Sequence, residues 1–246
     1  GRGNAFGLNT RRVNIPTLFC EDNQKLSEEV QVKAYDNSNG KELNNVEVTY
    51  VCGVTSCLMG EIKENKEGKV EYRSKFPMCF GGEVQLSKEG YGFYRTRLDT
   101  TDAIARGISA NMEPYRKLNT GVKIIDINEN NDVLRTRDLK ETETVILQLN
   151  KINEEFGGYD ESFVVNYDAL SETSLDLVPG RYNIAMDLIS NEKRELLGGD
   201  FEGLKVENQV VDSIILGHVE FDDLYIREGD LLSNRITFNI FGIEPR

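Results

Sequence analysis

Four cysteines, one histidine and one run of alternating oxygen ligands are the residues of this chain with chemistry to offer. Cys20, Cys52, Cys57 and Cys79 all fall in the first third of 246 residues, spaced C-x31-C-x4-C-x21-C. An even count in a strand-rich region predicts disulfides and an oxidising compartment. Four thiolates on zinc are the alternative, but zinc sites usually carry a C-x2-C pair, and this spacing has none. His218 is the sole histidine, so any Ser-His-Asp or Cys-His mechanism would have to use it. It lies in the apolar run IILGHVEF, which reads as a strand without a nucleophile motif, and a structural or surface role is expected. Asp126, Asn128, Asn130 and Asp132, in DINENND, alternate like the ligands of a calcium loop. Such a loop wants Gly at its sixth position and Glu at its twelfth, where this chain has Asn131 and Arg137. An Asn-rich hairpin turn is the plainer reading, and calcium is the one cofactor the sequence brings into question. There is no Gly-x-x-x-x-Gly-Lys loop and no dinucleotide fingerprint. The 42 acids guarantee many carboxylate pairs, so such pairs say nothing about glycoside hydrolysis.

The elements that must position these residues read as strands. Short candidates recur about every ten residues with turn signals between them, which predicts an all-β fold. In the first half they fall at 29–35, 45–51, 58–63, 69–76, 82–88, 92–98 and 107–113. Val30, Val32 and Ala34 alternate with polar neighbours, as do Val46, Val48 and Tyr50, so each strand buries one face. DNSNG at 36–40 is a tight turn and NKEG at 65–68 closes a hairpin, and Gly81-Gly82 are expected at positive φ. In the second half strands are expected at 121–127, 132–137, 143–151, 161–167, 173–178, 181–189, 203–207, 211–219, 224–226 and 235–241. Tyr182, Ile184, Met186 and Leu188, with Ile236, Phe238 and Ile240, are their core faces. The expected architecture is two consecutive β-sandwich domains, at 20–117 and 118–246, after an N-terminal arm or linker at 1–19.

Simple hairpins would bring all four cysteines to one pole of the first sandwich. Cys52 and Cys57 are then symmetric about a four-residue turn. That favours Cys52–Cys57 with Cys20–Cys79, although sequence does not decide among the three connectivities.

The net charge of −13 is uneven. Residues 1–117 hold 17 Lys/Arg against 16 Asp/Glu, and residues 118–246 hold 12 against 26. An acidic second half argues against nucleic acid as a partner. No apolar run approaches the roughly 18 residues of a membrane span, and any anchor would lie outside this chain. The sequence starts at Gly1, which suggests a removed leader or a piece of a longer protein. A lectin role would need several of the ten tyrosines on one face, because Trp is absent.

Residues 31–113 resemble a carboxypeptidase regulatory-like domain, a transthyretin-like β-sandwich. The resemblance rests on Gly40, Leu43, Val46 and Val48, on Gly68, Val70 and Tyr72, and on Pro77 with Gly81-Gly82. It closes with Gly90-Tyr91 and Met112-Glu113-Pro114. The cysteine elaboration is similar to that of large archaeal cell-surface proteins. Gram-positive pilins carry a related sandwich with a Lys–Asn isopeptide bond. Lys33 stands where such a lysine would be, but no acid-bearing motif follows, and an outward-facing strand residue is the expected reading. The resemblance implies a non-enzymatic structural or binding role and transfers no active-site residue.

The expectation is an extracellular, cell-surface adhesion or structural module, whose partner is another surface protein or a neighbouring copy of itself. A filament or pilus subunit is the alternative, with Arg11, Arg12, Val13 and Ile15 of the arm adding a strand to a neighbour. A hydrolase is the third class.

Overall fold

The computed structural model describes residues 18–101, 106–128, 130–169, 173–196, 198–201, 204–233 and 235–243. The chain divides into two compact units between Tyr115 and Arg116.

Among the described residues, the first unit begins with two 3-10 turns, Leu18–Cys20 and Asp22–Gln24, and continues in seven strands. These are β1 (Glu29–Asp36), β2 (Val46–Cys52), β3 (Thr55–Glu64), β4 (Val70–Lys75), β5 (Glu83–Ser87), β6 (Tyr94–Arg97) and β7 (Arg106–Met112). They pair in the order β6-β5-β2-β3-β4-β1-β7. The β3–β4 link holds only two residue pairs, Lys63↔Glu71 and Glu64↔Val70. There the path passes from one layer of the sandwich to the other. Alternation does what the sequence requires: Val32, Val46, Val48, Tyr50, Ile62 and Leu86 are fully buried in one core. Outward residues of β1, Lys33 among them, are partly exposed.

The second unit has β8 (Arg116–Ile127), β9 (Val133–Arg137), β10 (Glu143–Ile152), β11 (Tyr159–Asp168), β12 (Thr173–Leu177) and β13 (Gly180–Ser190). A ribbon follows, nesting β14 (Arg194–Leu196) on β17 (Gln209–Val211) and β15 (Gly199–Phe201) on β16 (Leu204–Val206). The chain closes with β18 (Ile214–Ile226), the short helix α1 (Glu228–Leu232) and β19 (Arg235–Ile243). One sheet runs β11-β10-β13-β18 and the other β12-β8-β19, with β9 on β8. Their inner faces meet in a core that includes Leu118, Ile124, Leu147, Leu149, Tyr182, Leu188 and Ile240. Gly217 lets β18 approach β19, because a methyl there would overlap the Phe241 carbonyl.

Among the described residues, each unit therefore pairs its first strand with its last, in parallel. β1 and β7 run in register from Val30↔Arg106 to Asp36↔Met112. β8 and β19 do so from Asn119↔Arg235 to Ile127↔Ile243. Several boundaries differ from the sequence reading: β3 begins at Thr55 and not at 58, β8 at Arg116 and not at 121, and β14 and β15 lie where no strand was expected. Leu118, expected to open the second domain, lies inside β8, whose first residues pair with β12. β18 is one strand where 211–219 and 224–226 were expected to be separate. Asp222-Asp223 look like a break, but they form a bulge opposite Asn183, and pairing with β13 resumes at Leu224.

Candidate functional site

The cysteines form two bridges, Cys20–Cys57 with Cα atoms 5.4 Å apart and Cys52–Cys79 at 6.1 Å. The favoured pairing of Cys52 with Cys57 is thereby corrected. The turn between β2 and β3 is only Gly53-Val54, with Cys52 opposite Thr55 and Cys57 opposite Tyr50. Cys52 and Cys57 are then diagonal neighbours on one face, about 7–8 Å apart, beyond the usual reach of a disulfide. Each instead bonds a segment outside the hairpin: Cys57 holds the entering chain at Cys20, and Cys52 holds the loop after β4.

That loop is fixed by a buried polar cluster. The Tyr50 hydroxyl donates to the Leu98 carbonyl at 3.0 Å and lies 3.1 Å from Thr100 Oγ1. Thr100 Oγ1 accepts from the Cys79 N–H at 2.7 Å and donates to the Pro77 carbonyl at 2.7 Å. Burial pushes the Tyr50 hydroxyl above its usual titration range. Gly81 has φ +68, as expected, but Gly82 does not have positive φ. A methyl on Gly82 would collide with the Tyr50 hydroxyl and come within 2.8 Å of the Leu98 carbonyl oxygen. Space, not backbone conformation, requires that glycine.

The DINENND residues have protein partners. Asp126 is 1% exposed, on the inward face of β8. Its Oδ2 is 2.8 Å from Nε of both Arg135 and Arg137. Arg137 also forks onto Glu143 of the facing sheet, at 2.6 and 2.9 Å. Burial works to raise the Asp126 carboxyl, but the two arginines outweigh it and hold it below the usual range. Asn128 Oδ1 accepts the N–H groups of Asn130 and Asp132, each at 2.9 Å, and Asn128 Nδ2 donates to Asp132 Oδ2 at 3.0 Å. Asn131 takes φ +64. Oxygens of Asp126, Asn128 and Asp132 are thus engaged within an Asx-type hairpin and a buried ion network. Among the described residues, no group of three or more His, Cys, Asp or Glu side chains is arranged to hold a metal ion.

His218 stands on β18 opposite Asp187 of β13. Nδ1 is 2.7 Å from Asp187 Oδ1 and Nε2 is 3.3 Å from Glu220 Oε1. The Asp187 hydrogen bond favours the imidazolium, so the ring titrates above its ordinary value. Arg11, Arg12, Val13 and Ile15 lie outside the described residues.

One constellation has no local signal in the sequence. On the outward face of the β11-β10-β13-β18 sheet, Tyr159 pairs with Ile152 and Arg181 pairs with Tyr225. Lys151 pairs with Tyr182, which sets Ile152 beside Arg181. The row Tyr159–Ile152–Arg181–Tyr225 crosses four strands from four separate stretches of sequence. Alternation announces which residues face outward, but only register aligns them.

No protein-family model matches the chain, and no curated protein matches it in sequence. Among solved structures it is similar to a streptococcal ancillary pilin, with TM-score 0.30 and 13% identity, over 92% of this chain and 64% of that one. It therefore spans less than two thirds of that pilin's length. It is also similar to the shaft pilin SpaA of Lactobacillus rhamnosus GG, with TM-score 0.28 and 8% identity over 89% and 99% of the two chains. A Bacteroides uniformis protein described as carbohydrate-binding gives TM-score 0.28 and 9% identity over 76% and 97%. Such scores describe a shared richness in strands and carry nothing further about this chain.

Proposed function

We propose that this chain is a non-enzymatic, load-bearing module of a surface-exposed protein. One observation carries the reading: both units pair their first and last strands in parallel. Tension applied to the two ends of such a unit pulls its terminal strands in opposite directions along their length. All their cross-strand hydrogen bonds then resist together, in shear. A hairpin pulled at its open end would lose them one at a time. The other reactive groups support the same reading. The cysteines are spent on bridges, Asp126 and Glu143 on a cross-sheet ion network, and His218 on a cross-strand pair. Bridges also suit the oxidising exterior of a cell. The finer assignment of residues 31–113 to the carboxypeptidase regulatory-like sandwich belongs to this proposal. It is supported by Gly40, Gly68, Gly81 and Gly90, all at positive φ in the turns where the resemblance has its glycines.

Single-molecule pulling tests the reading. Handles at Glu28, just before β1 and beyond the Cys20–Cys57 bridge, and at Glu113, just after β7, load β1 and β7 in shear. Handles at Asn37 and Glu113, beside the last pair Asp36↔Met112, peel the same strands apart. The shear geometry should need a several-fold higher unfolding force, and equal forces would refute the proposal. Antibody labelling of intact source cells tests the location.

A second reading, a filament subunit, is favoured by the outer edges of β7 and β18, which pair with no further strand among the described residues. A neighbour's arm could add a strand there. Deleting residues 1–19 should then abolish assembly in light scattering at low salt, and monomers with and without the arm would remove this reading.

A further inference from the structure

We propose that the outward face of the β11-β10-β13-β18 sheet binds a neutral oligosaccharide across the row from Tyr159 to Tyr225. Strands lie about 4.8 Å apart, so this row spans about 14 Å, the scale of a short glycan. Its two tyrosines are 50% and 57% exposed. Tyr159 is tethered by its hydroxyl, which accepts from Asn183 Nδ2 at 3.0 Å, so its ring reaches over β10. Tyr225 lines an open cleft of about 330 Å³ with Glu154, Arg181 and Asp223, at the small end of the range for ligand sites. An aromatic face of this kind takes the C–H-bearing face of a sugar ring, while the phenolic oxygen stays available to hydroxyls.

Between the tyrosines lies a polar set organised before any ligand arrives. Arg181 Nε is 3.0 Å from Glu154 Oε1, and Arg181 Nη1 is 3.1 Å from Asp223 Oδ2. Asn183 Oδ1 accepts the Asp223 N–H at 3.0 Å. Carboxylate, guanidinium and amide side by side offer acceptors and donors at neighbouring points. Vicinal sugar hydroxyls, each both donor and acceptor, need that pattern. The bulge at Asp222-Asp223 is the second, independent feature. It puts two residues opposite Asn183 and places Asp223 at φ +61. Bulges re-aim side chains and collect beside functional sites, and a non-glycine residue in the left-handed region is uncommon. Here the bulge turns Asp223 onto Arg181. One cation and two carboxylates leave the cleft net negative, which favours neutral sugars over uronic or sialic acids.

This proposal concerns the isolated protein in solution, so its outcome is independent of whether the chain bears load. The test is amide-resolved NMR titration of the whole chain with tri- to hexasaccharides of glucose, mannose, galactose and N-acetylglucosamine, up to about 10 mM. At least one should give saturable shifts confined to residues 150–162, 181–185 and 220–226. Tyr159→Ala/Tyr225→Ala should abolish saturation while the spectrum stays folded. Tyr159→Phe/Tyr225→Phe should retain it in part, because the rings remain. The proposal is overturned if no neutral oligosaccharide shifts these amides. Undiminished binding in the alanine variant, or preference for oligogalacturonate over every neutral sugar, would overturn it equally.

Discussion

The two bridges set how far the first unit can lengthen under tension, and the amount follows from their connectivity. Along the backbone, Cys20 and Cys79 are 59 residue steps apart. With Cys20–Cys57 and Cys52–Cys79 intact, the shortest covalent route between them uses only the five steps from Cys57 back to Cys52. Reduction therefore frees about 54 steps, or about 180–190 Å of extra contour length when the unit is pulled out at about 3.3–3.6 Å per residue. Substituting one cysteine separates the pairings. Cys57→Ser breaks only the bridge to Cys20, and the route becomes the 32 steps from Cys20 to Cys52. The gain over the native protein is then about 27 steps, or roughly 90–95 Å. Had Cys20 been bonded to Cys79, the same substitution would release nothing, because that single bridge would still enclose the segment. Force–extension curves at constant pulling speed, with and without reductant, read these increments directly. No increment in Cys57→Ser would refute the connectivity and the reasoning that a two-residue turn keeps Cys52 from Cys57.

Three further expectations concern the cores and the sheet surface. Arg137→Met leaves Asp126 and Glu143 buried with weaker partners, so the second unit should lose about 3 kcal/mol, the low end for breaking a buried pair, since Arg135 and Lys140 remain nearby. Because the Asp126 carboxyl is depressed in the folded state, its contribution is present above the ordinary carboxylate range and lost as pH falls through the depressed value. Urea unfolding should therefore show the penalty of this variant shrinking toward acid pH, and a small, pH-independent penalty would count against the network. His218 has the opposite sign: its raised value means a contribution present below the ordinary histidine range and lost as pH rises through the folded value. NMR titration should place the ring above an ordinary histidine, and Asp187→Asn should bring it down. Gly82→Ala should cost the first unit about 1–3 kcal/mol by overpacking, with partial rescue by Tyr50→Phe; thermal unfolding under oxidising conditions measures both.

Much of the strand structure is legible without coordinates, because it depends on neighbours in sequence. Val30, Val32 and Ala34 had to face one way whatever they packed on, and Tyr182 through Leu188 likewise. Asn-rich and Gly-rich stretches at 36–40 and 65–68 turn the chain through local hydrogen bonds and left-handed residues. The all-β class and the use of cysteines at strand ends follow from the same short-range patterns. What the chain does with those strands was decided by register, which is a relation between distant segments. Two residues of register separate a Cys52–Cys57 bridge from the observed pair, because a two-residue turn sets Cys57 opposite Tyr50 and makes the two cysteines diagonal. The same holds for Asp126. Its place in DINENND resembles an ion loop, but alternation along β8 turns it inward, and only the packing of β9 and β10 supplies the arginines and Glu143 that make this affordable. The Tyr159–Arg181–Tyr225 row, and the parallel closure of each unit, exist in no stretch of sequence at all. Side-chain direction is a property of a single strand, whereas which side chains become neighbours is settled by hydrogen bonds between strands tens of residues apart.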